Sequence, residues 1–419
     1  MNTNLVDKKE YNLLLSILLL SLFVTIKYET SLVLIKPFDL ICLIVFPLVF
    51  ILKTKEEAIN KGFFYLIPFF IIHALSGLMV GFNNFLREFL QILMMIIFAF
   101  TLSTFKTRIN CQKLFNNVFL GSLIIMLGVI WWHYSTGLWG RGWKDLTDSK
   151  TIFTIITILI FIYIIFFKKI KFNELYLLFF ILFPILLMSG ERKALLIFVL
   201  LFFIKYSPGF TIKTVYILFF TFLFLNFLSN YVENSYVQTK ISTTLNFMET
   251  GNLDYFLNTG FISENDTISN LQRAFSFNVS LGYFTNNPFF GIGTNNYVRM
   301  VVEQYPALVL FRSGALVHGI HGEFLRVLVE NGLIGFIAYL MIWYKSWNRS
   351  RILLDEIKKI GIINKEQFNF CLYGIYLSLA IYVGTEASST RSLMFLTFIS
   401  LLPDYYAYHF GLKKNNLKK

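Results

Sequence analysis

The chain has 419 residues, of which 56% are hydrophobic, 18% aromatic and only 15% charged, with a mean hydropathy of +0.64. That arithmetic excludes a water-soluble globular protein, a disordered chain and a collagen-like one, because apolar surface is abundant along the whole length. The net charge of +13 would suggest nucleic acid in a soluble protein, but in a membrane protein it is first an orientation signal.

A membrane-crossing helix needs about 20 mainly apolar residues, and on that rule the sequence predicts about twelve spans. In chain order they are Tyr11 to Ile26, Leu32 to Leu52, Phe63 to Val80, Phe85 to Phe105, Leu114 to Trp132, Thr151 to Phe167, Phe172 to Met188, Ala194 to Tyr206, Thr211 to Asn230, Glu323 to Tyr344, Gln367 to Gly384 and Ser392 to Tyr408. The first follows Lys8 and Lys9 as a signal peptide would, but Thr25-Ile26-Lys27 offers no small-residue cleavage site, so it reads as a helix. Basic residues then concentrate in every second connecting segment, starting with Lys8 and Lys9 and ending with Lys413 to Lys419, which predicts that both termini lie inside. The expected fold is an all-α, polytopic integral membrane protein. Helices 1–9 occupy residues 1–229, one long outer loop 230–320, and helices 10–12 residues 321–419. The lipid bilayer is its first partner, and no nucleic-acid surface is needed to explain the charge.

The loop from about Asn230 to Ile320 alone has a soluble composition, rich in Asn, Ser, Thr, Gly and acidic residues. It reads as short helices and turns forming a cap over the membrane bundle, and loops of that length are usually functional. A shorter outer loop, His133 to Lys150, carries Trp139 and Trp143 beside Trp131, Trp132 and Tyr134, which suits either an interfacial aromatic belt or stacking on sugar rings. Cys42, Cys111 and Cys371 have no paired spacing, so neither a disulfide framework nor a cysteine metal site is supported.

Three places could carry chemistry. At the outer end of the seventh span, Ser189-Gly190-Glu191-Arg192-Lys193 puts two cations into a short turn between apolar helices, as either snorkelling side chains or an anion site. In the long loop, Arg273 opens an amphipathic stretch that leads to Pro288-Phe289-Phe290-Gly291-Ile292-Gly293, a turn whose backbone amides could approach a ligand. The third place is His318-Gly319-Ile320-His321-Gly322-Glu323. His321, Leu325, Leu328, Gly332 and Gly335 recur at helical spacing, which predicts one packed stripe, with the two glycines admitting a neighbouring helix. Glu323, Arg326 and Glu330, at spacings of three and four, can neutralise one another along another side. His318 and His321 form a pair that could bind a metal, but no outer thiol and only His133 could complete the set, so zinc is not supported.

Taken together these residues resemble the O-antigen ligase and O-antigen polymerase superfamily of bacterial envelope glycosyltransferases. His321, Gly322, Gly332 and Gly335 keep the family's spacing of His, a small residue, nine residues, Gly, two residues and Gly. Glu191-Arg192 is similar to its Ser-Arg, Pro288 to Gly293 to its Pro-x-x-Gly-x-Gly turn, and Arg273 to its upstream loop arginine. Gly322 stands where the family usually has Asn or Ser, and Glu191 where it has Ser. The resemblance implies glycan transfer on the periplasmic side of the bacterial inner membrane, from an undecaprenyl-diphosphate-linked oligosaccharide to a sugar hydroxyl, with no cofactor or metal. It implies that Arg192 and Arg273 hold the diphosphate and that His321 is the general base. Glu191, Lys193, Gly291, Gly293, His318 and Glu323 are the candidate substrate-binding residues. A chain-length regulator is an implied partner.

Polymerase and ligase share donor, fold and mechanism. The sequence favours the polymerase, because the Asn or Ser that follows His in many ligases is absent here and the spans are divergent and Phe-rich. A lipid or polysaccharide transporter is the alternative from another class. No internal repeat supports it, and ionisable residues are sparse in mid-span.

Overall fold

The structure is a computed structural model that describes residues 6–21, 28–29, 34–35, 40–45, 47, 61–105, scattered positions between 117 and 135, 197–198, 200–201, 268–305, 319–385 and 389–409. Apart from a two-residue antiparallel ladder, β1 (Tyr28–Glu29) with β2 (Leu34–Ile35), the regular elements among these residues are helices. They are α1 (Val6–Ser21), α2 (Lys61–Leu78), α3 (Phe82–Phe105), α4 (Ile268–Asn286), α5 (Tyr297–Gln304), α6 (Glu323–Lys359), α7 (Lys365–Asn369), α8 (Ile375–Thr385) and α9 (Ser389–His409). One π turn, Phe370–Gly374, joins α7 to α8. Among the described residues three helical stretches are long and apolar enough to cross a membrane, Phe82–Phe100, Glu323–Lys359 and Gln367–Gly384, and Phe64–Leu78 is a shorter apolar helix.

The second strand of the ladder falls inside the predicted span Leu32 to Leu52, so Leu34 and Ile35 are extended and the described helical residues there begin at Leu40. The predicted span from Phe85 starts earlier, at Phe82, because Gly81 takes a φ of +137° and closes a tight corner in which its N–H donates to Gly77 O. The span predicted to stop at Tyr344 continues to Lys359. Its extension repeats buried positions at Ser346, Ser350, Leu353, Leu354 and Ile357, a helical face that packs with Phe368, Leu372, Tyr376, Ile399 and Leu402. At that end Arg349 clasps Asp404 of α9 through both guanidinium nitrogens, and Ser346 and Ser350 both reach the Tyr376 hydroxyl.

α6 is the axis of the described bundle: it packs on α9, α2 and α4, and α2 and α3 form a hairpin beside it. It is not one continuous helix. Gly332 adopts φ +64° and ψ −170°, which breaks the ladder of main-chain bonds. The turn Pro288–Gly293 fills the break. Ile292 N–H donates to Val329 O at 3.0 Å and Gly293 N–H to Glu330 O at 3.0 Å, while Leu333 N–H donates to Pro288 O at 2.8 Å and Ile334 N–H to Phe289 O at 3.3 Å. Backbone groups that the break would leave bare are thereby satisfied by another part of the chain, which is the condition for interrupting a helix in an apolar setting. The expected stripe from His321 to Gly335 is therefore corrected: His321 precedes the helix, Gly332 interrupts it, and Gly332 is approached by a turn rather than by a helix. Gly335 does face a helix, since a Cβ there would lie 3.4 Å from Ile72 of α2.

The part of the long loop that is described consists of α4, this turn and α5. α4 buries Phe275, Ser276, Ser280 and Tyr283, a three-to-four spacing that turns one face to the bundle. Phe275, Tyr283, Ile292, Tyr297, Val301, Ile320 and Val329 form one apolar cluster joining both helices and the turn to the first part of α6.

A Cβ on Gly332 would collide with the Phe289 carbonyl and lie 2.6 Å from Gly291 N, whereas one on Gly361, at φ +75°, would meet nothing within 4 Å. Gly361→Ala is expected to cost only the left-handed strain, about 1–2 kcal/mol. Gly332→Ala should cost well beyond that, because backbone must move and the splice opens. Melting temperatures of the two variants in detergent, compared with the parent, check the ranking.

Candidate functional site

Beneath the turn lies a buried polar cluster drawn from α2, α3, the turn itself and α6. His73 on α2 is fully buried, with Nδ1 3.2 Å from Asn331 Oδ1 and Nε2 3.2 Å from Glu88 Oε2. Asn331 Nδ2 donates to Ser76 Oγ at 2.6 Å and to Thr294 Oγ1 at 2.9 Å, which turns its Oδ1 toward the ring. The imidazole is thus held from both sides by side-chain oxygens of two other helices. Glu88 also accepts from Asn295 Nδ2, and Thr294 is held by its hydroxyl to His73 O at 2.9 Å and by its N–H to Ser76 Oγ at 3.1 Å.

Nearer the start of α6, Arg326 pairs with Glu323 through Nε to Oε2 at 2.7 Å and a second bond from Nη2 to Oε1, and with Glu330 through Nη1 to Oε2 at 3.2 Å. All three side chains are buried. The spacing read from the sequence therefore does neutralise these charges, and the two-pronged guanidinium contact is the geometry that best offsets their desolvation. The cluster brings three carboxyl groups, Glu88, Glu323 and Glu330, to the Arg326 guanidinium and the His73 imidazole.

His321 sits at the entrance of α6, half-buried, and its N–H donates to Ser276 Oγ of α4 at 3.4 Å. Ser276 is three residues beyond Arg273 on the same helix, so one turn of α4 separates the arginine's backbone from the contact with His321. Arg273's side chain lies outside the described residues, as do Glu191, Arg192, Lys193 and His318 entirely. Gly322 caps α6 at φ +96°, and a Cβ there would stand 2.7 Å from Gly384 O of α8. A Cβ at that position would press on main chain and strain a positive φ, so glycine is the residue that fits. Gly291 and Gly293 are placed at the splice: Gly291 N–H donates to Asn287 O and Gly293 N–H to Glu330 O, both at 3.0 Å. Both amides thus have protein partners. Glu323 likewise spends its carboxylate on Arg326. Tyr297, buried under the turn, has its phenol pushed up to about 12 by burial, so it remains neutral and serves as packing.

His73, Glu88, Asn331 and Thr294 were not singled out from the sequence. The signal was present: an ionisable side chain inside an apolar run costs about 2.5–3.5 kcal/mol on insertion scales, and both His73 and Glu88 are such residues.

Removing Arg326 while leaving its partners would strand two buried carboxylates. Arg326→Met is expected to destabilise by about 3–5 kcal/mol. Arg349→Met should cost less, because its pair with Asp404 is partly solvent-exposed. Combining Arg326→Met with Glu323→Gln and Glu330→Gln should recover most of the loss, as measured by denaturant unfolding in detergent.

The protein family described as O-antigen ligase matches residues 145–340 of this chain. No curated protein matches it. The matched segment contains Arg192, Arg273, the Pro288–Gly293 turn, His321 and the break at Gly332, the same residues that carry the motifs. It supports an O-antigen ligase- or polymerase-type activity of the glycosyltransferase kind, acting on a lipid-linked glycan within a membrane. Over residues 145–340 the chain is thus similar to the O-antigen ligase family, and the match supports the O-antigen ligase and O-antigen polymerase superfamily.

Proposed function

We propose that this protein is an O-antigen polymerase of the bacterial inner membrane, joining undecaprenyl-diphosphate-linked oligosaccharide repeat units on the periplasmic side. It would hold about twelve spans with both termini in the cytoplasm, the architecture that the alternation of basic loops supports. The observation that carries the reading is the contact from His321 N–H to Ser276 Oγ on the helix of Arg273, within a segment matched by the O-antigen ligase family.

The chemistry follows from the residue types. A polyprenyl diphosphate is already a good leaving group, and the negative charge it develops is best met by guanidinium groups, which offer paired donors. Arg192 and Arg273 are assigned that role, with Glu191 and Lys193 beside them. The acceptor hydroxyl must lose a proton as it attacks the anomeric carbon, and His321 is assigned as the general base, with His318 close by in sequence. Glu323 would act through Arg326, keeping the entrance of α6 rigid, and Gly291 and Gly293 through the splice rather than by binding the glycan directly. No step requires a nucleotide sugar or a metal ion.

A ligase, which would transfer the finished glycan to lipid A core, is the second reading, favoured by the description of the matched family. The strain deleted for this chain separates the two: loss of a polymerase leaves lipopolysaccharide with a single repeat, whereas loss of a ligase leaves core with none. In proteoliposomes supplied with lipid-linked oligosaccharide, the wild type is expected to form longer glycans, and His321→Ala to slow this by about 10²–10⁴-fold. Arg192→Ala and Arg273→Ala should also fail to rescue the deletion strain. Movement of the lipid-linked glycan with no new glycosidic bond would identify a transporter and overturn the enzymatic reading.

A further inference from the structure

We infer that the Pro288–Gly293 turn of the long loop is a membrane-contacting element, whose Phe289 and Phe290 insert among the acyl chains of the outer leaflet. The juxtaposition that carries this is backbone-fixed. Phe289 O accepts from Ile334 N and Pro288 O from Leu333 N, so the turn cannot rise above the level of α6 at which those two residues sit. Leu333, Ile334 and Ile337 are themselves exposed on the outside of an apolar helix long enough to span a bilayer. Surface of that kind on such a helix faces lipid.

Phe289 and Phe290 are 61% and 66% exposed, the continuation of that lipid-facing stripe onto another segment of the chain. In water two adjacent, mostly bare phenylalanines on a rigid turn would be costly, at about 25 cal/mol for each Å² of apolar surface left wet. Among acyl chains the same exposure is favourable.

The other side of the turn sets the depth. A Cβ on Gly293 would touch Val80 Cγ2 and Ser76 O, so the turn rests on the last turn of α2 and on the corner that follows it at Gly81. At this corner Met79 and Phe82 are also exposed. The level of a helix corner is the boundary between headgroups and acyl chains, the depth at which amphipathic surface elements settle. The pair thus anchors a loop whose composition is otherwise soluble, and it does so a few residues from Asn295 and Thr294 of the buried cluster. None of this depends on the enzymatic assignment.

The test is photocrosslinking of the full-length protein in proteoliposomes of phosphatidylethanolamine and phosphatidylglycerol carrying a radiolabel in the acyl chains. A benzophenone amino acid is placed at position 289 or 290, with position 337 as the lipid-facing reference and position 299, an exposed arginine on α5, as the aqueous one. Labelling of lipid at 289 or 290 comparable to that at 337, and several-fold above that at 299, is the expected result. Labelling no greater than at 299 overturns the inference, and so does a crosslink to a second copy of the chain in place of lipid. Phe289→Ser with Phe290→Ser provides a second readout, since it should leave the melting temperature in detergent unchanged but release a short loop peptide to protease in proteoliposomes. Equal protease resistance of parent and double variant would count against insertion.

Discussion

An α-helix cannot be interrupted in an apolar environment unless something else satisfies the amides and carbonyls that the interruption frees. At Gly332 that something is the Pro288–Gly293 turn, which supplies two donors and two acceptors to the broken helix. The exchange is mutual, because the same bonds hold the turn in place. Loop and helix are consequently one structural unit, and the geometry at the N-terminal end of α6 exists only when both are assembled. The left-handed Gly332 and Gly291 permit the approach; any Cβ at either would meet backbone atoms.

The buried charges reinforce the same unit. Asn331, next to the break, bonds at once to His73, Ser76 and Thr294, and Asn295 reaches Glu88. Four segments distant in sequence therefore meet at one point, with each polar group answering another. Charges taken out of water stabilise a fold only weakly by themselves, but a partner lost from such a network leaves a bare charge behind. This makes the network a device for specificity: a turn docked one residue out of register would cost Glu88 its bond from Asn295 and Asn331 its bond to Thr294. The apolar cluster of Tyr283, Ile292, Tyr297 and Val329 supplies the attraction, and the polar cluster supplies the register.

What the sequence revealed depended on how far apart the partners lie. Glu323, Arg326 and Glu330 were legible because their partners are three and four positions away on one helix. The turn at Pro288–Gly293 was legible as a turn, since proline and glycine announce their own backbone preferences. Its partner was not, because Gly332 among apolar residues looks like a packing glycine, and nothing local marks a positive φ. His73 and Asn331 are 258 residues apart, and each alone reads as a stray polar residue in a span. The overextension of α6 to Lys359 was missed for a different reason. Lys345, Arg349 and Arg351 suggested a cytoplasmic loop, while the buried serines on the opposite face carry no hydrophobic signal. Of the candidate site residues, the described structure positions His321, Gly291, Gly293, Glu323 and the backbone of Arg273, while Glu191, Arg192, Lys193 and His318 lie outside the described residues.

Position 322 shows how a departure from a family pattern can follow from packing. In this chain α8 passes so close to the entrance of α6 that Gly384 O occupies the space a Cβ would need, and the φ of Gly322 independently disfavours any other residue. A polar side chain after His321, if it had a duty in orienting the imidazole, cannot exercise it here. Neighbouring elements must take over that duty. α4 already holds the backbone of His321 through Ser276, and α4 is itself fixed by the cluster that seats the turn. The placement of the histidine thus rests on the long loop's docking into the broken helix, not on the residue beside it. Substitutions at the splice should therefore reach His321 without touching it.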